Sequence, residues 1–112
     1  MSVHHFLALE RRDDTLIVSV LRNLGCFSHD DFQDEWTDLL QRLEDPGIVR
    51  VVLDFRHVAY FGSILLELAL QLNRRLQPRG GQVILSNLST FGAEIVRLAR
   101  FDQFCTIEES RH

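Results

Sequence analysis

The stretch Ile48-Val49-Arg50-Val51-Val52-Leu53-Asp54 decides the fold. A run of β-branched and aliphatic residues ending on a carboxylate reads as a buried strand, of the parallel kind that is covered on both faces. The link Phe55-Arg56-His57-Val58-Ala59-Tyr60-Phe61 leads to Gly62-Ser63. Then Ile64-Leu65-Leu66-Glu67-Leu68-Ala69-Leu70-Gln71-Leu72 supplies strong helix formers throughout. Ser63 therefore belongs to the first turn of a helix, just after a glycine. It stands near the carboxyl end of a central strand, the edge where open α/β sheets keep their functional groups.

Upstream, Phe6–Glu10 reads as a first strand and Arg11-Arg12-Asp13-Asp14 as a charged hairpin turn. Thr15–Leu21 reads as a second strand, antiparallel to the first because the link is short. Arg22–Phe27 is a loop. Ser28 with Asp31 is a Ser-x-x-Asp capping signal, and Asp30 and Asp31 suit the positive end of a helix dipole. On the helix that follows, Phe32, Trp36, Leu39, Leu40 and Leu43 share one face, opposite Asp34, Asp38, Gln41 and Arg42. Asp45-Pro46-Gly47 ends it.

Downstream, Gln77-Pro78-Arg79-Gly80-Gly81 closes the second helix, and Val83–Leu88 is a fourth strand. Ser89 or Thr90 caps a third helix from Phe91 to about Arg100, on which Phe91, Ile95, Leu98 and Ala99 lie together. Phe101–Phe104 is a turn, Cys105–Ile107 a short last strand, and Glu108–His112 is expected to fray. The order β-β-α-β-α-β-α-β predicts one α/β domain over residues 1–112, its core spanning about 6–107. Its sheet is mixed and mainly parallel, with an antiparallel N-terminal edge strand, and helices pack on it.

Bulk properties exclude several functions. The chain has 112 residues, a net charge of −4, 25% charged and 46% hydrophobic residues. There is no basic surplus for nucleic acid, so no direct nucleic-acid binding is expected. No apolar run approaches the roughly 20 residues of a membrane span. The N-terminus lacks a signal-peptide pattern, so a cytoplasmic location is expected. Cys26 and Cys105 have no CxxC spacing and read as reduced, buried thiols. His4, His5, His29, His57 and His112 form no metal set, and no cofactor is expected. The chain has no Gly-x-Ser-x-Gly elbow, P-loop or dinucleotide fingerprint, and is not expected to be an enzyme.

The segment VVLDFRHVAYFGSILLELALQLNRRLQPRGGQVILSNL resembles the STAS domain, named for sulfate transporters and anti-sigma factor antagonists. The family pattern is an apolar strand, Asp, a hydrophobic link, then Asp-Ser-Ser-Gly-Leu opening a helix, with a later Gly-Gly turn into another strand. Val51-Val52-Leu53-Asp54 matches the strand end, and Gly62-Ser63-Ile64-Leu65-Leu66 stands where the helix opens. Phe101-Asp102-Gln103-Phe104 resembles the family's Leu-Asp-x-Phe segment. The resemblance covers about Phe6 to Ile107.

The resemblance implies an anti-sigma factor antagonist that binds an ATP-binding serine kinase acting as anti-sigma factor, with Ser63 as the phosphorylated switch. From the residues alone, Ser63 is either a helix cap or a phosphorylation site; a phosphate there would lie on the free N–H groups of a first helical turn. Two positions acidic in typical antagonists are glycine here, Gly62 and Gly25, which implies an altered kinase-facing surface. Asp54 is either a loop-start carboxylate that bonds local backbone or part of that surface. Leu65, Leu68, Ala69, Leu72 and Leu76 suffice as the core face of the second helix. Leu66 and Leu70 point away, beside Asn73, and are predicted to be more exposed. They are covered by neighbouring chain or by a homodimer, are scattered exposed residues that need no explanation, or form a partner-binding patch near Ser63. The alternative function is an unphosphorylated scaffold or a small-molecule-sensing module, which an apolar cavity beside Asp54 and Ser63 would favour.

Overall fold

The computed structural model describes residues 2–3, 6–21, 29–58 and 63–109. Six strands form one sheet in the order of the sequence. They are β1 (Ser2–Val3), β2 (Leu7–Arg12), β3 (Thr15–Val20), β4 (Arg50–Asp54), β5 (Gln82–Leu88) and β6 (Thr106–Glu109). The pairs β1–β2 and β2–β3 are antiparallel; β3–β4, β4–β5 and β5–β6 are parallel. The helices are α1 (His29–Arg42), α2 (Ser63–Leu76) and α3 (Thr90–Leu98), with 3₁₀ turns at Gln77–Arg79 and Phe101–Gln103.

The predicted α/β architecture is thus observed, with β1 as an additional antiparallel strand at the N-terminal edge and with several elements differing in extent. The hairpin turn shrinks to Asp13-Asp14: Arg11 and Arg12 pair with Leu16 and Thr15, and Asp13 takes the tight turn with φ of 55°. The central strand starts at Arg50, because the Val49 and Arg50 N–H groups both donate to the Asp14 carbonyl before the parallel ladder begins. The last strand runs on through Glu108 and Glu109, which pair with Ser86 and Leu88 and so do not fray. The Ser28 cap lies outside the described residues.

The core follows the strand alternation. Leu7, Leu9, Leu16, Val18, Val20, Val51, Leu53, Val83 and Leu85 are buried. Trp36 and Leu39 of α1, Leu43 just past its end, and Leu65, Leu68, Ala69, Leu72 and Leu76 of α2 close over them. Cys105 is buried and free, and its burial pushes the thiol up to about 11; Cys26 lies outside the described residues.

At the amino ends of the parallel strands the connections are clamped. The Arg79 guanidinium donates to the carbonyls of Asp45 (3.1 Å), Ile48 (2.9 Å) and Leu43. Gly81 passes so near the strand before β4 that an added Cβ would stand 2.2 Å from the Val49 carbonyl oxygen. Gly80, with φ of 70°, makes the turn that brings it there.

Candidate functional site

The opposite edge, at the carboxyl ends of β3, β4 and β5, holds Asp54, one of the residues singled out in the sequence. Asp54 closes β4 between Ser19 and Ser86. Its Oδ1 accepts the Arg56 N–H at 2.9 Å, holding the first bend of the link, and Asn87 Nδ2 at 2.9 Å. Arg56 Nε stands 3.6 Å from Oδ2. The Asp54 carboxylate therefore bonds the local backbone, as one of its two readings required, and also ties β4 to β5.

Asn87 was not legible as a site residue. It sits at a shift of register between β5 and β6, with φ of 58°. Asparagine tolerates that left-handed conformation better than other residues with a Cβ. Its amide is thereby aimed back at Asp54. Ser89, two residues on, caps α3: its hydroxyl accepts the Gly92 N–H at 3.0 Å. Of the two predicted caps, Ser89 rather than Thr90 takes the role.

A cavity of ≈ 310 Å³ lies between these two connections, lined by Phe55, Arg56, His57, Val58, Asn87, Leu88 and Ser89. Phe55, Val58 and Leu88 are buried and form its floor, while Arg56 and His57 are exposed at its rim. It is open and polar-rimmed.

A second contributor absent from the sequence reading is Glu35, buried on α1. Its Oε1 accepts the Phe6 N–H at 2.8 Å and the Leu7 N–H at 2.9 Å. These two donors sit where β2 begins, beside the end of β3, since Leu7 pairs with Val20. The carboxylate joins α1 to the sheet at this same edge and satisfies two buried donors at once.

Ser63 is the first residue of α2. Gly62 and Gly25 lie outside the described residues, as does the link from Ala59 to Phe61. Leu66 and Leu70 are half-buried, whereas Leu65, Leu68 and Leu72 are buried, the ordering the helical spacing predicts. Leu66 still packs partly on the core. Asn73, expected beside the two leucines on the outer side, is buried instead. Among the described residues no cluster of His, Cys, Asp or Glu could hold a metal ion, and no helix is long and apolar enough to cross a membrane.

The STAS domain profile matches residues 6–112, nearly the whole chain. The chain belongs to the STAS domain family. The fold agrees with solved members of the family. The anti-sigma factor antagonist SpoIIAA in its unphosphorylated form superposes with a TM-score of 0.77 at 15% identity, covering 95% of this chain and 89% of SpoIIAA. The Bacillus cell fate determinant SpoIIAA in its phosphorylated form gives 0.68 at 17%, covering 95% and 92%. An anti-sigma-factor antagonist (STAS) domain protein from Planctomyces limnophilus gives 0.72 at 17%, covering 94% and 91%. No curated protein sequence matches the chain significantly. In this STAS domain the Asp54–Asn87 bond ties β4 to β5, and Ser89 caps the helix that follows β5.

Proposed function

We propose that this STAS domain is an anti-sigma factor antagonist-like regulator that works by binding a protein, not by catalysis. The partner is an ATP-binding serine kinase that acts as an anti-sigma factor, and phosphorylation of Ser63 reverses the binding. The observation that carries this reading is that α2 opens at Ser63, beyond the carboxyl end of the central strand β4. A phosphate there meets unpaired N–H groups and the positive end of a helix dipole, so the fold tolerates it. A partner packed on the same edge meets about two new negative charges. That the likeness to SpoIIAA holds for both its unphosphorylated and phosphorylated forms supports a switch that leaves the fold intact. The interface proposed comprises Gly25, Asp54, Gly62, Ser63, Leu66 and Leu70.

The test is Ser63→Glu, with the partner captured from native lysate and identified by mass spectrometry. Titration calorimetry is expected to show binding at least about tenfold weaker, a loss of about 1.4 kcal/mol or more, with an unchanged melting temperature. Equal affinity of the two proteins would sink the switch.

A further inference from the structure

The sheet has two faces, and the helices cover one of them. Its strands lie in sequence order, so the crossovers through α1, α2 and α3 all step the same way. Right-handed crossovers that step one way set their helices on one face. The buried residues of the strands and of all three helices accordingly form one cluster. Parallel strands are as a rule covered on both faces, as the run Ile48–Leu53 predicts. Among the described residues, no helix packs on the other face of β3, β4 and β5. That face is not uniformly polar. Ile17, Val52 and Ile84 are half-buried and stand side by side in register across these strands. They are not among the residues packed on the core, whereas Ile107 of β6 is. Around them Arg50, Gln82, Thr106 and Glu108 are exposed. Single exposed apolar residues need no explanation, but three in one row form a patch.

We propose that this open face joins two copies of the chain, sheet on sheet, about a twofold axis through Ile84. Charge selects a second copy as the occupant. Arg12 already stands 3.5 Å from Glu10, and Arg56 stands 3.6 Å from Asp54. Arg50 and Glu108 make no ion pair among the described residues, so they are the unbalanced charges of the face. Arg50 is in register with Gln82 on one side of β5, and Glu108 with Ser86 on the other. Ile84 lies midway between them. A twofold axis at Ile84, in the plane between the sheets and across the line from Arg50 to Glu108, sets Arg50 of each copy on Glu108 of the other. A twofold contact needs this reciprocity, in which residue i meets j and j meets i. Ile84 then meets its own counterpart, with Val52 and Ile17 beside it. The strands of the two sheets cross steeply, nearer the orthogonal class of sheet packing than the aligned one. So much sheet buries about 1,000 Å² in total, at the weak, reversible end of interfaces. α2 packs on the opposite face, so the proposal does not rest on the partner reading.

The test is sedimentation equilibrium of the full chain from about 10 μM to about 1 mM, a span that brackets a weak dimer. The mass is expected to rise with concentration from 13.0 kDa toward twice that value. Ile84→Thr keeps a β-branched residue in the strand and is expected to weaken the dimer at least about tenfold, since the twofold axis doubles the loss. Arg50→Glu and Glu108→Arg are each expected to weaken it, and the two together to restore it. Both charged positions are exposed, so the melting temperature of the dilute charge variants should stay that of wild type. A chain that stays monomeric throughout overturns the proposal, as does a dimer indifferent to Ile84→Thr. Loss without rescue in the double charge exchange overturns the pairing that selects a second copy. A monomer that sediments with phosphatidylglycerol vesicles in wild type, but not in Ile84→Thr, overturns the dimer and assigns the face to a membrane surface.

Discussion

The two edges of the parallel sheet are built from similar residues put to different use. At the amino edge, charged side chains end on backbone. Arg79 donates to three carbonyls of the α1–β4 connection, and Asp45 accepts the Gly47 N–H at 2.8 Å and an Arg11 guanidinium N–H. At the carboxyl edge, Asp54 and Asn87 also tie strands together, but Arg56 and His57 beside them face solvent around an open cavity. The difference is one of saturation. Arg79 spends its donors on its own chain, and such a residue has little left for a ligand. The carboxyl edge is bonded well enough to hold its shape and leaves polar groups over. Substitutions at the two edges should therefore differ in how much stability they cost.

The largest effect is expected at Gly81. A Cβ placed 2.2 Å from the Val49 oxygen meets backbone, and that oxygen already accepts the Gln82 N–H at 3.0 Å. Neither group can yield without opening the start of β4 and β5. Gly81→Val should cost about 3 kcal/mol, in the range of severe overpacking, and lower the melting temperature by roughly 10 °C. A melting temperature within a few degrees of wild type would break the picture of a tightly clamped amino edge. Arg79→Ala comes next. Its loss orphans part-buried carbonyls and should cost about 2 kcal/mol by urea unfolding. Arg79→Lys should recover little, because one ammonium cannot reproduce a fork that reaches three acceptors. Full recovery with lysine would show that charge alone matters there.

The same contrast explains what the sequence disclosed. β4 and α2 were legible because hydrophobic runs and helix formers act locally, and the ordering of Leu66 and Leu70 against Leu65, Leu68 and Leu72 followed from helical spacing. The Arg79-Gly80-Gly81 turn was visible as a turn, but its clamp was not, since the three carbonyls it meets lie 31–36 positions earlier. Glu35 was hidden for the same reason. A glutamate one turn before Leu39 looks like a blemish on an apolar face until the N–H groups of Phe6 and Leu7 arrive from elsewhere. Asn87 had a weak signal, an asparagine inside a strand pattern, which a bulge accounts for. On α3 the spacing correctly grouped Phe91, Ile95, Leu98 and Ala99. It could not say that Gly92 and Val96 would be the buried residues, leaving Ile95 half-buried and Phe91, Leu98 and Ala99 exposed.

A smaller effect is expected where Asp54 meets Asn87. Asp54→Ala removes an acceptor for the Arg56 N–H and for the Asn87 amide, and should cost about 1–2 kcal/mol. Asn87→Gly should cost less than about 1 kcal/mol, because glycine relieves the left-handed backbone while losing only the amide bond. A double-mutant cycle should return a coupling near 1 kcal/mol. Additive losses would mean that the 2.9 Å contact contributes nothing and that the carboxyl edge is held by packing alone.

The smallest effect concerns protons at the amino edge. The Gly47 N–H and then the Arg11 guanidinium hold the Asp45 carboxyl below its ordinary value of 3.8. A carboxylate with a depressed folded-state pKa stabilises the fold above its unfolded-state value. That contribution is lost as pH falls through the lower, folded-state value, because both states then carry the proton. The sign is therefore fixed: Asp45 adds stability above about pH 4 and withdraws it on further acidification. Asp45 is exposed, so water and salt screen the pair, and the effect should shrink in high salt. Urea unfolding of wild type and Asp45→Asn from about pH 6 down to about pH 2 checks this in the window where carboxylates titrate. The gap between the two curves should be widest above pH 4 and close toward pH 2. Asparagine can still accept the Gly47 N–H, so the part that closes reports chiefly the ionic contact with Arg11. Curves that stay parallel to the lowest pH would show that Asp45 acts through its neutral hydrogen bond alone. In that case the clamp at the amino edge would be as insensitive to charge as the apolar core above it.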